Sequence, residues 1–257
     1  LISLPPAQRF DFIEGRVVVN ANDSVNGWPF IPLLPNQSFD TSLIPSTAGP
    51  LLYVVEVAHY YDPGVDINKI IESLLSKLRF IKGLQFSADH SYFDFLYRFR
   101  PTGRQSSVSS TPHAWLNLFV PKSKIVEFDS KIFKKILAKG VNGSILVYPV
   151  HRSLWDSRTS AVTPEEDIFY DVSLLRYNKP YPEGPPLQLV LDQNNAVLEA
   201  CRANGIPVKQ YVGRHKNQAE WERHFGEQQW KRFAERKKLF DPKGILAPGQ
   251  NIFPRIS

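Results

Sequence analysis

Three side chains stand out in this chain of 257 residues, and their chemistry is that of binding rather than covalent reaction. Glu56 sits in Leu52-Tyr53-Val54-Val55-Glu56-Val57-Ala58, on the strand face shared by Leu52, Val54 and Ala58. A carboxylate on an apolar face must be ion-paired, protonated or near water. An Arg or Lys at the sheet margin would satisfy it. Trp115 and Asn117 are two apart in an extended run, so both project to one face. A buried Trp beside an amide would stack on a planar, nitrogen-rich ligand and hydrogen-bond its edge. The plainer alternative is a core Trp with an Asn serving the backbone. No phosphate-loop, dinucleotide, zinc-protease or nucleophile-elbow signature occurs. The six His residues show no metal-ligand spacing, so no metal site is expected. Cys201, on an amphipathic stretch, reads as an inert buried thiol. No residue of this chain is expected to be catalytic.

The elements that must position these side chains alternate between strands and amphipathic helices. Extended runs span Phe10–Asn20, Leu51–Tyr61 (read as buried), Leu84–Phe86, Trp115–Val120, Ile145–Val150, Ile168–Tyr177 and Val208–Val212. Asp66–Arg79 puts Ile67, Ile70, Ile71, Leu74, Leu75 and Leu78 on one helical face. Tyr92–Phe99 is a short helical or irregular piece. Ser123 is placed to cap a helix reaching about Lys139, its core face formed by Ile125, Phe128, Ile132, Phe133 and Ile136. Another helix, Leu187–Asn204, stops at Gly205. Strands joined through helices allow a parallel sheet or an antiparallel layer. Apolar–polar alternation, as in Ile168–Tyr177, favours the antiparallel one, since a sheet with one open face alternates. The expected fold is α+β: an antiparallel sheet backed by helices, then a helical tail.

Net charge is +6 and falls mostly at the end: residues 213–257 hold 10 Lys/Arg against 5 Asp/Glu. A basic tail can neutralise nucleic-acid phosphates, but a solvated helix face is the plainer reading. Trp221, Phe225, Trp230 and Phe233 recur at helical spacing, which suits packing better than base stacking. No apolar run is long enough to span a membrane. Three sequons begin at Asn22, Asn36 and Asn142 and matter only on the secretory route.

Three blocks carry a resemblance to a known family. One is the tail Leu239-Phe240-Asp241-Pro242-Lys243-Gly244-Ile245-Leu246-Ala247-Pro248-Gly249-Gln250-Asn251-Ile252-Phe253. Its Phe-Asp-Pro and Pro-Gly-Gln turns resemble the closing segment of FAD-linked oxidases of the vanillyl-alcohol-oxidase type. The others are His113-Ala-Trp-Leu-Asn-Leu-Phe-Val120 and Tyr148-Pro-Val-His-Arg-Ser-Leu-Trp-Asp156. Together, from about Phe10 to Phe253, they resemble the plant cytokinin dehydrogenases (cytokinin oxidases).

The resemblance implies a substrate-binding cap domain over residues 1–210, with 211–257 returning to an FAD-binding domain. In the family that domain is the N-terminal half; its Gly-His-Ser and Trp-Thr-Asp segments do not occur here, and the chain starts at Leu1 without any Met. This sequence is therefore expected to be the C-terminal half of such an enzyme. The reaction implied is FAD-dependent oxidative cleavage of the N6-isoprenoid side chain of a cytokinin to adenine and an aldehyde, with oxygen or a quinone as electron acceptor. By the same resemblance Glu56, Phe99, Trp115, Asn117, Leu146, Leu175 and Val212 meet the substrate, while Tyr211 and Gln250 approach the flavin. From sequence alone, core packing accounts equally well for Leu146, Leu175 and Val212. Departures from the family are Ala114 for Pro, Phe99 for Val, Trp155-Asp156-Ser157-Arg158 for Trp-Asp-Asp (read as a structural turn with a salt bridge), and a changed segment at Arg100–Thr111. A truncated, inactive purine-binding protein is the alternative reading; nucleic-acid binding through the tail is a weaker third. The family and the sequons point to the apoplast or vacuole, with the cytosol the other possibility.

Overall fold

A computed structural model describes residues 1–97, 112–156, 158–176, 184–246 and 252–253. Six strands form one sheet: β1 (Phe12–Val19), β2 (Leu51–Ala58), β3 (Leu116–Pro121), β4 (Gly143–His151), β5 (Ile168–Arg176) and β6 (Lys209–Tyr211). Their order is β2-β1-β4-β5-β3-β6. Every neighbouring pair is antiparallel. The α+β antiparallel layer read from the sequence is the fold.

Alternation assigns each strand residue to a face. Val17, Leu51, Leu116, Leu118, Val120, Ile145, Val172 and Leu174 meet Phe128, Ile132, Phe133, Leu137, Val197 and Cys201 in one buried cluster. The helical layer consists of α3 (Ile125–Phe128) with its flanking turns and α4 (Leu187–Ala203). α4 ends as expected. Gly205 takes a φ of 61°, and Ile206 N–H closes on the Cys201 carbonyl at 2.9 Å.

Several expectations need correction. β2 is an edge strand, not a buried one: Tyr53 and Val55 lie exposed. The Asp66–Arg79 helix shrinks to α1 (Asn68–Leu75), with Leu74 its one fully buried side chain and Ile70 exposed. Leu84–Phe86 forms no strand, and α2 covers Tyr92–Leu96. The helix expected from Ser123 is a 3-10 turn, α3 and then a π turn over Asp129–Phe133. Ser123 does not cap it; its N–H and hydroxyl both bind the Glu166 carboxylate. The wide turn has a packing cause. It aligns residues five apart, so Phe128 meets Phe133 edge-on at 5.1 Å while Ile132 also stays buried.

The tail forms α5 (Gln218–Phe225) and α6 (Glu227–Phe240). Its aromatic residues pack on each other: Trp221 on Phe225, Phe225 on Trp230 and Phe233, and Trp230 on Phe253. Side chains of α6 reach the carbonyls of Arg158, Thr159 and Ala161. From α6 onward, Leu239, Phe240, Ile245 and Leu246 are exposed among the described residues.

Candidate functional site

The register lines up one row of side chains across the sheet on the face away from the core cluster. From β2 to β6 the row reads Val54, Arg16, Leu146, Ser173, Asn117, Tyr211. Side chains level in the ladder share a face. Leu175, level with Ser144, belongs to the next row on one side; Glu56, level with Glu14, belongs to the next row on the other. Asn117, Leu146, Leu175, Tyr211 and Glu56 are thus gathered on a single face, three rows deep. Four interstrand spacings separate Glu56 on β2 from Asn117 on β3, about 19 Å along a flat sheet. Twist and coiling shorten that path.

This face is more covered than an open sheet would be. Leu146 and Ser173 are buried, and Glu14 is 0% exposed. Phe95 of α2 packs edge-on to Phe12 at 5.3 Å, and Trp155 covers Phe119 at 5.6 Å.

Its charges are linked. Glu14 accepts a 2.5 Å hydrogen bond from the Tyr148 hydroxyl and meets Arg16 Nη2 at 2.8 Å. The same Nη2 lies 3.8 Å from Glu56 Oε2. Glu56 therefore has the basic partner that one of its two readings required, and it remains 26% exposed. Asp171, level with Tyr148 and Phe119, bonds Ser173 Oγ at 3.1 Å, and burial pushes its carboxyl up to about 6. Asn117 Oδ1 is buried and has no hydrogen-bond partner among the described residues. An unmet buried acceptor costs about 1–3 kcal/mol, which a ligand N–H would recover.

Two of the expected ligand residues depart from expectation. Trp115 is 50% exposed rather than buried. It precedes the first ladder pair of β3, Leu116 with Leu174, and among the described residues His113 stands edge-on to it at 5.4 Å. Val212 lies just past β6, largely exposed, with a φ of 55°. Tyr211 stacks on Phe119 at 5.1 Å and 21° while remaining partly exposed, so it keeps ring surface for another flat group. Phe99, Gln250 and the Arg100–Thr111 segment lie outside the described residues.

Trp155 and Asp156 behave as a structural turn: Trp155 packs on Phe119 and Phe169, and Asp156 pairs with Arg158 at 2.5 Å. Cys201 is fully buried and its thiol is pushed up to about 11, which makes it inert. Among the described residues no group of His, Cys, Asp or Glu could hold a metal, and no helix is long and apolar enough to cross a membrane. A surface groove of about 590 Å³ between α5 and α6 contains none of the site residues. Sequence reasoning passed over Glu14, Arg16, Tyr148, Asp171 and Ser173. The signal was present as polar residues at a spacing of two inside otherwise apolar strands, in Phe10–Asn20 and Ile168–Tyr177.

Residues 1–253 match the family described as "Cytokinin dehydrogenase 1, FAD and cytokinin binding". The chain is 40% identical over 254 residues to Cytokinin dehydrogenase 1 of Arabidopsis thaliana, covering 96% of this chain and 44% of that protein. It is 42% identical over 263 residues to Cytokinin dehydrogenase 5 of the same plant, covering 100% of this chain and 48% of that protein. With Cytokinin dehydrogenase 5 of Oryza sativa subsp. japonica the identity is 42% over 262 residues, covering 98% and 48%. The chain spans about half the length of the curated relatives it matches.

Proposed function

The chain belongs to the cytokinin dehydrogenase family, and from that premise we propose that it is the substrate-binding portion of an FAD-dependent oxidoreductase that removes the N6-isoprenoid side chain of cytokinins. The observation that carries the reading is Asn117, whose buried Oδ1 has no partner among the described residues and lies on the same sheet face as Glu56, Leu146, Leu175 and Tyr211. That face offers what an aminopurine needs: acceptors for its N–H groups, an apolar wall and an aromatic ring. In this reading Asn117 accepts from one end of the ligand, and Glu56 meets the purine edge at the other. Leu146 and Leu175 exclude water between them, with Val212, Phe99 and Trp115 completing the slot.

FAD fits the far edge of the sheet in one respect: Tyr211 is stacked on Phe119 and keeps ring surface for a second flat system. Tyr211, with Gln250, would hold the isoalloxazine, while the pyrophosphate would be gripped by a separate FAD-binding domain. When bound, FAD supplies the acceptor for the two electrons removed from the substrate. The residues of this chain orient the purine and keep the reacting carbon dry. Residues 1–210 form the cap in this proposal, and 211–257 return to the FAD domain.

The test uses the complete protein with isopentenyladenine. Glu56→Gln removes a charge-assisted bond worth about 1.5–3 kcal/mol, so a ten- to hundredfold loss of kcat/KM is expected. Trp115→Ala should lower turnover as well as affinity, by misplacing the reacting carbon. Neither should release flavin. Trp155→Ala should instead cost stability, since that ring packs on Phe119 and Phe169. Wild-type kinetics in both site variants would sink the assignment and leave the family resemblance speaking for the fold alone.

A further inference from the structure

Glu56 and Glu14 are directly opposite one another on β2 and β1. Like charges at such a pair repel, and Glu14 has no access to water to relieve the repulsion. Arg16, two residues along β1 and on the same face, lies between them and is itself buried. Its Nη2 is closer to Glu14, at 2.8 Å, than to Glu56, at 3.8 Å. Glu14 is in turn fixed from β4 by the Tyr148 hydroxyl. The contacts form a chain along one face, Tyr148–Glu14–Arg16–Glu56, that begins on β4 inside the sheet and ends at a carboxylate with partial access to solvent. Each member orients the next. A guanidinium is planar and its donors point in fixed directions, so an Arg held by one carboxylate presents a defined edge to a second.

We propose that Arg16 is the positioning residue for Glu56. It cancels the repulsion from Glu14, draws the Glu56 carboxylate toward β1, and holds it in one orientation for a ligand N–H. The proposal rests on the reading of Glu56 as a ligand contact. Arg16 acts in this proposal through Glu56, so its loss should act on affinity and leave the chemical step alone.

A double-mutant cycle in the complete protein decides this, with KM and kcat for isopentenyladenine as the readout. Arg16→Lys keeps the charge but loses the fork, and should raise KM severalfold with kcat within about twofold of wild type. Arg16→Gln should raise KM further, about tenfold, the lower end of what a charge-assisted bond confers. On a Glu56→Gln background, Arg16→Lys should add nothing, because its effect passes through a carboxylate no longer present. Tyr148→Phe removes one hydroxyl from the far end of the chain. It gives a second, conservative route should the Arg16 variants fail to fold. Its expected effect is a smaller rise in KM that likewise disappears on the Glu56→Gln background. Additive effects, an unchanged KM in a folded variant, or a fall in kcat at constant KM would each overturn the proposal. A Glu56→Gln enzyme with wild-type KM would instead overturn the ligand reading on which it stands.

Discussion

Val212 holds a β-branched side chain at a φ of 55°, a conformation costing of order 1–3 kcal/mol. It is one of the residues the family resemblance assigns to the substrate, and strain of this kind gathers at binding sites. Val212→Gly should therefore raise stability by about 1 kcal/mol while weakening cytokinin affinity in the complete protein. Chemical denaturation and KM check the two halves; a destabilised variant would mean the backbone there is not strained. Asp171 offers a second test. Its carboxyl is raised to about 6 by burial, so between the unfolded value of 3.8 and about 6 the native state holds a proton that the unfolded chain has released. Stability is then present at low pH and declines as pH rises through that window, by at most about 3 kcal/mol. Asp171→Asn should match wild type near pH 4 and exceed it at pH 7. His224, lowered to about 4 chiefly by burial and next by His215, has the opposite sign: its stability is lost as pH falls from 6.5 toward 4. The two slopes oppose each other in the wild-type chain, so only the difference between variant and wild type is informative.

At the scale of elements, the junction into β4 depends on a contact that local pattern does not reveal. Asn26 Oδ1 accepts from the N–H groups of Val141 and Asn142, at 2.9 and 2.8 Å, from more than a hundred residues away. Gly140 makes room for it: a Cβ there would lie 2.3 Å from Asn26 Cγ, and the φ of 86° already favours glycine. Gly140→Ala should cost more than about 2 kcal/mol, and Asn26→Ala about 1–3 kcal/mol for each N–H left unmet. Thermal melts compared with wild type measure both. This contrast explains what was legible beforehand. The positions of the six strands, the Gly205 stop and the core face of the α3 segment follow from periodicity within short windows. The edge position of β2, the π turn and the pairing of Arg16 with two carboxylates depend on strand order, which no local window contains. Trp115 and Asn117 were singled out by their spacing of two and by the family block around them; Arg16 showed locally only as a polar residue in an apolar strand, and the register places it between Glu14 and Glu56.

For the molecule as a whole, the tail decides how the chain behaves by itself. Its aromatic residues satisfy one another, but Leu239, Phe240, Ile245 and Leu246 lie together in sequence with their apolar surface exposed. Such patches promote association. The chain produced alone is expected to self-associate with rising concentration, and Leu239→Ser with Phe240→Ser should reduce it, as read by sedimentation. A monodisperse wild-type chain would show that these residues need no partner. The chain alone is also expected to purify without flavin absorbance, because the proposed reading gives this chain a part only at the flavin ring and leaves the pyrophosphate to a separate FAD-binding domain. A stoichiometric flavin spectrum would overturn that division of labour.

The strand order also sets a schedule. β1 pairs with β2 through a loop of about thirty residues, yet its other edge waits for β4, and Tyr148 reaches Glu14 across a separation of 134 residues. Closing so long a loop delays the contact that rewards it, which slows folding. During synthesis the β1–β2 hairpin must persist with Val17 uncovered and with Glu14 and Glu56 unscreened by a finished sheet. The face that carries Glu56 and Asn117 is complete only when the later strands have docked. Lesions that slow β4 docking should lower the yield of active protein before they alter the activity of the molecules that fold.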